Sequence, residues 1–245
     1  MHHMILYVNG DSHSAGAEAV NSYCFAEDDW KYHQLRRQPH PDNLEVSYGN
    51  LLAKKLDYQL ICDAESSSSI DRIIRTTQEY LSKNTPDVII IGWPTFEREE
   101  WLHDGVYYQL TASGTDHLPN ELKTKYKQWV IEQFAPELIN QKLLSTHQKL
   151  YNFHCQLIDL KIKHLFFNTF SSFQNGANLQ HLGFNTFEWD DSYADPYLNN
   201  RTFYHWLKDQ GYKTVSASSY HFGADAHSAW AEFLYQNYVQ RLLTR

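Results

Sequence analysis

The sequence predicts a three-layer α/β/α sandwich with a central parallel sheet of about five strands. Two observations carry this. Short apolar runs alternate with longer amphipathic stretches in the βαβ manner that implies a parallel sheet, and 245 residues, 42% hydrophobic and 15% aromatic, fit one α/β domain of ordinary size. Strands are expected at Ile5–Val8, Tyr58–Cys62, Val88–Gly92 and His164–Asn168, with a short fifth near Lys213–Ser216. Helical periodicity is clearest over Gly49–Leu56, Ser69–Leu81, Glu121–Phe134, Pro136–Lys161 and Ala224–Leu243. Pro136 suits the first turn of its helix, where its missing N–H would be unpaired in any case. No internal repeat is present, and the only low-complexity segment is the run Ser66-Ser67-Ser68-Ser69.

Composition narrows the function classes. A net charge of −8 argues against a broad nucleic-acid surface. No apolar run approaches the roughly 18 residues of a membrane span. The start Met1-His2-His3-Met4 lacks the basic and apolar regions of a signal peptide, so a cytoplasmic protein is expected. Cys24, Cys62 and Cys155 are few, odd in number and far apart, which reads as reduced thiols rather than a disulfide framework. The 14 histidines are scattered without ligand spacing, and no cofactor is called for.

Gly10-Asp11-Ser12 follows the first apolar run, at the strand exit where open α/β folds bind ligands. Gly, Asp and Ser are also ordinary turn formers, so the triplet alone decides little. At the far end, Ser219-Tyr220-His221-Phe222-Gly223 leads into a helical stretch and offers an imidazole as general base, which a serine nucleophile needs near neutral pH. His227 lies nearby and competes for that role, although packing suits it better. The elbow G-x-S-x-G of the generic α/β hydrolases is absent.

With these pieces in order, the chain resembles the SGNH (GDSL-like) hydrolase family over nearly its whole length. Gly10-Asp11-Ser12-His13-Ser14 resembles the first block. Tyr48-Gly49-Asn50-Leu51-Leu52, the Ala64–Ser69 loop and Arg72-Ile73-Ile74-Arg75 resemble the second block and its flanks. Asp87-Val88-Ile89-Ile90-Ile91-Gly92-Trp93 resembles the third, and His221 with Trp230-Ala231-Glu232-Phe233-Leu234 the last. Gly92-Trp93-Pro94-Thr95-Phe96-Glu97-Arg98 is similar to a divergent branch met in phage and environmental sequences, which adds a virus-encoded or virion-associated protein to the expectations. The resemblance implies Ser12 as nucleophile, His221 as base, and an oxyanion hole built from backbone N–H groups of Ser12, Ser67 and Thr95. Three departures stand out. Ser67 replaces the glycine of the second block, Pro94 replaces the asparagine of the third and has no N–H, and Ser218 stands where an aspartate would orient the histidine. One of Glu188, Asp190 and Asp191 is a candidate for that missing acid.

Two long connections, residues 93–120 and 169–199, leave the expected active-site edge. They are rich in aromatics, including Phe96, Trp101, Tyr107, Tyr108, Phe170, Phe173, Phe184, Phe187, Tyr193 and Tyr197. Trp93, Arg98 and Trp189 are the candidate substrate contacts. For each aromatic, packing is the competing explanation, and for Arg98 a surface ion pair. The expected function is therefore a serine esterase or deacylase acting on a small-molecule or glycan ester, such as acetyl or short acyl groups on carbohydrate. A catalytically degenerate carbohydrate-binding or virion-associated relative is the alternative. A metallophosphoesterase using Asp11 and His13 is a further one, weakened because no second Gly-Asp block and no Gly-Asn-His motif follow.

Overall fold

A computed structural model describes residues 4–26, 38–112, 118–133, 135–173 and 186–244. In chain order the elements are β1 (Ile5–Gly10), α1 (Pro41–Glu45), α2 (Tyr48–Leu56), β2 (Gln59–Cys62), α3 (Ile70–Leu81), β3 (Val88–Trp93), β4 (Glu99–His103), β5 (Val106–Leu110), α4 (Asn120–Glu132), α5 (Pro136–Asp159), β6 (Lys163–Asn168), α6 (Phe203–Asp209), α7 (Ala224–Leu234) and α8 (Gln240–Thr244). Four parallel strands form the central sheet in the order β2-β1-β3-β6, with helices on both faces. Register aligns Gly10 with Gly92 and Trp93 with Asn168, so β1, β3 and β6 end together at one edge.

All six residues of β3 are buried. On one face, Leu6, Val8, Ile90 and Phe167 pack against Leu52 of α2, Phe203 and Leu207 of α6, and Trp230 and Leu234 of α7. On the other, Tyr7, Ile89, Ile91 and Phe166 meet Ile73 of α3 and Leu150, Phe153 and Leu157 of α5. Burying each of these large apolar side chains contributes about 1.5–3 kcal/mol relative to exposure, so the two faces together hold the sheet edge in place. Ser69 caps α3 by accepting from the Arg72 N–H at 3.2 Å, and Pro136 begins α5.

The fifth strand is not formed. Lys213–Ser216 is partly to fully exposed and makes a single antiparallel bridge, Thr214 with Phe222. A parallel strand is ordinarily covered on both faces, and this segment has no apolar run with which to achieve that. The outer edge of β6 is instead met by the backbone around Tyr193, with Phe166 N–H donating to Ser192 O and Ala194 N–H to Phe166 O, both at 2.8 Å. The 93–120 connection also holds an antiparallel hairpin, β4 with β5. Its turn is Asp104-Gly105 with φ of 49° and 76°, the two positive values that a type I′ turn demands. The last helix is interrupted by a π-helical turn, Tyr235–Val239, between α7 and α8. Among the described residues no helix is long and apolar enough to cross a membrane, and Cys24, Cys62 and Cys155 form no disulfide.

Candidate active site

The loop after β1 is pressed onto the sheet edge. A Cβ on Gly10 would lie 2.2 Å from Ser14 Oγ and 2.8 Å from the Gly92 carbonyl oxygen, and one on Gly92 would lie 2.5 Å from the same hydroxyl. Only glycine fits at either place. Ser14 Oγ, wedged between the two strand ends, accepts from Tyr48 Oη at 2.8 Å. Ala15 N–H to Asp11 O and Ala17 N–H to Ser12 O then curl the loop back, and Ser12 is buried within it at 7% exposure.

Asp11 is the buried anchor of this loop. Its carboxylate accepts from the His13 backbone N–H at 3.0 Å, meets His13 Nδ1 at 3.1 Å and accepts from Arg98 Nη1 at 3.1 Å, with Thr169 Oγ1 at 3.4 Å. Burial alone would raise its pKa, yet His13 and Arg98 outweigh that and hold the group well below the ordinary carboxylate range. Arg98, expected to meet substrate or its acidic neighbours, thus pairs across 87 positions of sequence with the loop after β1. Asp11 and His13, the pair a binuclear metal site would need, are bonded to each other, and no group of three metal-ligating side chains exists among the described residues.

His221 meets the same loop from the other side. Its ring lies edge-on to that of His13 at 5.3 Å, and its Nδ1 sits 2.9 Å from Glu18 Oε2. Ser219 Oγ donates to the same Glu18 oxygen at 2.5 Å and accepts from the His221 backbone N–H at 3.0 Å. The acid on His221 is therefore Glu18. Ser218 is exposed and its hydroxyl lies 3.3 Å from that of Ser216, and among the described residues the carboxylate on the imidazole is that of Glu18, not of Glu188, Asp190 or Asp191. The hydrogen bond to His221, helped by Ser219, outweighs burial and lowers the Glu18 pKa. His227 is no rival base. It is buried, accepts from the Tyr48 N–H at 3.3 Å, and burial pushes its pKa down to about 3.

No hydrogen bond joins Ser12 Oγ to His221; the imidazole's side-chain partners are Glu18 and Ser219. The backbone N–H groups of Ser12, Ser67 and Thr95 have no acceptor among the described residues. Ser67 has φ of 69°, the left-handed backbone for which the glycine it replaces is suited. Its loop is fixed by Glu65 N–H to Gly10 O at 3.2 Å and by a buried ion pair between Glu65 and Arg72, whose guanidinium also donates to Ser68 Oγ at 3.1 Å.

The tryptophans expected at substrate are core residues here. Trp93 is 1% exposed and packs edge-on against Phe153 and Phe166. Trp189 is 6% exposed, packs edge-on against His147, Tyr151 and Tyr193, and donates Nε1–H to Tyr197 Oη at 3.1 Å. In both cases burying a large ring prevailed over presenting it. Phe184 lies outside the described residues. A cleft of about 490 Å³ lies between the start of α3, the Phe96–Glu99 segment and the α4–α5 junction; it shares Arg98 with the Asp11 cluster but includes none of Ser12, Ser67 and His221.

Glu18 and Ser219 are the residues that sequence reasoning missed. Ser219 lies within the quoted histidine block, but Glu18 carries no local signal, since its role arises from tertiary contact.

No family model matches the sequence, and no curated protein does. Among solved structures, the chain is similar to a putative lipolytic protein of the G-D-S-L family from Desulfitobacterium hafniense, at 12% identity and a TM-score of 0.45 over 95% of this chain and 98% of that one. It is also similar to a carbohydrate esterase family 2 enzyme with a carbohydrate binding domain from Corynascus thermopiles (Myceliophthora fergusii), at 12% identity and a TM-score of 0.43 over 99% of this chain and 67% of that one. A family two carbohydrate esterase from Clostridium thermocellum, in complex with cellohexaose, gives 13% identity and a TM-score of 0.41 over 94% of this chain and 62% of that one.

Proposed function

We propose that the chain is a serine hydrolase that cleaves an ester by acyl transfer, with Ser12 as nucleophile and His221 as base. The observation that carries this reading is the His221 ring itself. A carboxylate accepts hydrogen bonds and donates none, so Glu18 fixes the proton on Nδ1 and leaves the Nε2 lone pair as the acceptor, beside the loop that holds Ser12.

In the proposed reaction Ser12 Oγ forms a bond to the ester carbonyl carbon while its proton passes to His221 Nε2. The tetrahedral oxyanion is met by the uncommitted N–H groups of Ser12 and Ser67, with Thr95 as a third donor in place of the Pro94 position. Collapse breaks the bond to the alcohol, which takes the proton from His221. Water then attacks the acyl group by the same route and releases the acid. The hydroxyl and imidazole are not bonded in the free chain; catalytic hydrogen bonds often tighten only in the substrate complex. The proposed substrates are acetyl or short acyl esters of a carbohydrate, in keeping with the family resemblance and with a net charge of −8, which disfavours polyanions.

The unmade Ser12–His221 bond and the lack of an N–H at Pro94 favour one second reading, a glycan-binding relative that has lost catalysis. Steady-state hydrolysis of p-nitrophenyl acetate and of acetylated sugars separates the two. Ser12→Ala is expected to lower kcat by roughly 10³-fold or more. Wild-type turnover equal to that of Ser12→Ala, with glycan binding intact, would establish the binding relative instead.

A further inference from the structure

We propose that Glu18 is the positioning acid of His221, supplied by the nucleophile's own loop instead of the position before the histidine where Ser218 stands. The inference deepens, and rests on, the reading of His221 as base. Three independent features of the structure support it.

The first is geometry. Glu18 Oε2 is 2.9 Å from His221 Nδ1 and accepts the Ser219 hydroxyl at 2.5 Å, while Ser219 in turn receives the His221 backbone N–H at 3.0 Å. Both the ring and the backbone of His221 are thus tied to one carboxylate, which restrains ring rotation as well as tautomer. The second is backbone conformation. Glu18 has φ of 62°, a left-handed value that is strained for an L-residue and that glycine would adopt more readily. The strained backbone is held by Glu18 N–H to Tyr23 O at 3.3 Å and Ala19 N–H to Gly16 O at 3.0 Å. Strain retained at a polar side chain aimed at an imidazole has a ready purpose in placing that side chain. The third is the surroundings. Among the described residues, the other titratable groups that interact with His221 are His13, edge-on at 5.3 Å, and His227. His13 Nδ1 is directed to Asp11 and His227 accepts from Tyr48, so neither supplies an acid to Nδ1.

Ser12 and Glu18 lie on one short loop closed by Ala17 N–H to Ser12 O at 2.9 Å, so the proposed nucleophile and the acid of its base are placed by the same segment.

Glu18→Gln, Glu18→Asp and Ser219→Ala test this, with thermal unfolding to establish that each variant folds. Glu18→Gln keeps the shape and removes the charge. It is expected to lower kcat roughly 10²- to 10³-fold with KM changed less than about 3-fold, a smaller loss than the ~10⁴-fold that follows amidation of a fully buried triad acid, because Glu18 is partly exposed. Glu18→Asp is expected to recover part of the loss. A second readout needs no turnover. The His221 Nδ1–H proton resonance, identified by its absence in His221→Ala, is expected downfield in the wild type and lost or moved upfield in Glu18→Gln. An active wild type whose Glu18→Gln variant keeps both kcat and this resonance would overturn the inference and leave the hydrolase reading standing. Loss of the resonance in Glu18→Gln of a protein with no esterase activity would establish the Glu18 contact and remove the hydrolase reading.

Discussion

Two groups of histidines in this molecule show what surroundings do to one side chain. His221 lies at the sheet edge, half-buried, with a carboxylate on one ring nitrogen. His147 and His154 of α5 and His164 of β6 meet on one face of the sheet, buried among Phe166, Phe173, Phe187 and Trp189. His154 Nδ1 and His164 Nε2 are 2.8 Å apart, and His164 Nδ1 meets the Ile162 carbonyl oxygen at 2.9 Å. Since that carbonyl only accepts, His164 carries its proton on Nδ1, and its Nε2 accepts from His154. Burial pushes the pKa of His147 and of His164 down to about 4, so these rings pack as neutral polar aromatics. An imidazole with a carboxylate and solvent can exchange a proton; one enclosed by aromatics holds its place in the core.

Exchanging the roles experimentally gives the largest contrast. His221→Ala is expected to lower ester turnover roughly 10³-fold or more while changing unfolding free energy by less than about 1 kcal/mol. His164→Ala is expected to do the reverse. It leaves a cavity and strips His154 and the Ile162 carbonyl of a partner, costing about 2–4 kcal/mol in urea unfolding, with turnover kept in the fraction that remains folded. Equal effects on stability would erase the distinction between the groups.

Acid sharpens the same contrast. For His147 and His164 the folded pKa of about 4 lies below the ordinary value of 6.5, so between these limits the unfolded chain takes up protons that the folded chain refuses. Their neutral burial is costless above about pH 6.5, and stability falls as pH drops toward 4, by about 1.4 kcal/mol per pH unit for each fully buried imidazole and less where burial is incomplete. The Glu18 contact has the same sign in a lower pH window. Its carboxylate pKa is lowered, so its contribution is complete above the ordinary carboxylate value and is lost only as pH falls through the lowered one. Urea unfolding from pH 7 to pH 5, where Glu18 stays ionised in both states, is expected to show a stability slope that flattens in His164→Phe and is unchanged in Glu18→Gln.

The smallest expected effect is at Ser67. Glycine there relieves the left-handed backbone but loosens the unfolded chain, for a net gain of about 0–1 kcal/mol. Because the N–H is retained, turnover is expected to stay within about 3-fold, measured beside the urea midpoint. A large loss of turnover would assign the Ser67 side chain a part in the reaction.

What could be read in advance follows from how local each cause is. The central strands stood out because Leu6–Val8, Val88–Ile91 and Leu165–Phe167 are runs buried on both faces, and such burial writes itself into consecutive residues. The β4–β5 hairpin is only half-buried and announces itself chiefly by Asp104-Gly105, so its residues read as a loop. Ser12 and His221 stand out in the sequence as candidates because their blocks are contiguous. Glu18 and the Arg98–Asp11 pair do not, because contacts spanning |i−j| of 203 and 87 leave no pattern in a single chain. Trp93 and Trp189 misled for a related reason. Aromatic residues near a site look alike in sequence whether they face ligand or core.

Labelling with a fluorophosphonate probe, followed by peptide mass spectrometry, addresses the proposed chemistry most directly, because the probe reacts with an activated serine whatever the natural ester. Ser12 is expected to carry the adduct in the wild type, with none in Ser12→Ala and strongly slowed labelling in His221→Ala. A folded wild-type protein without adduct at Ser12, or with labelling indifferent to His221, would contradict the assignment of an activated serine.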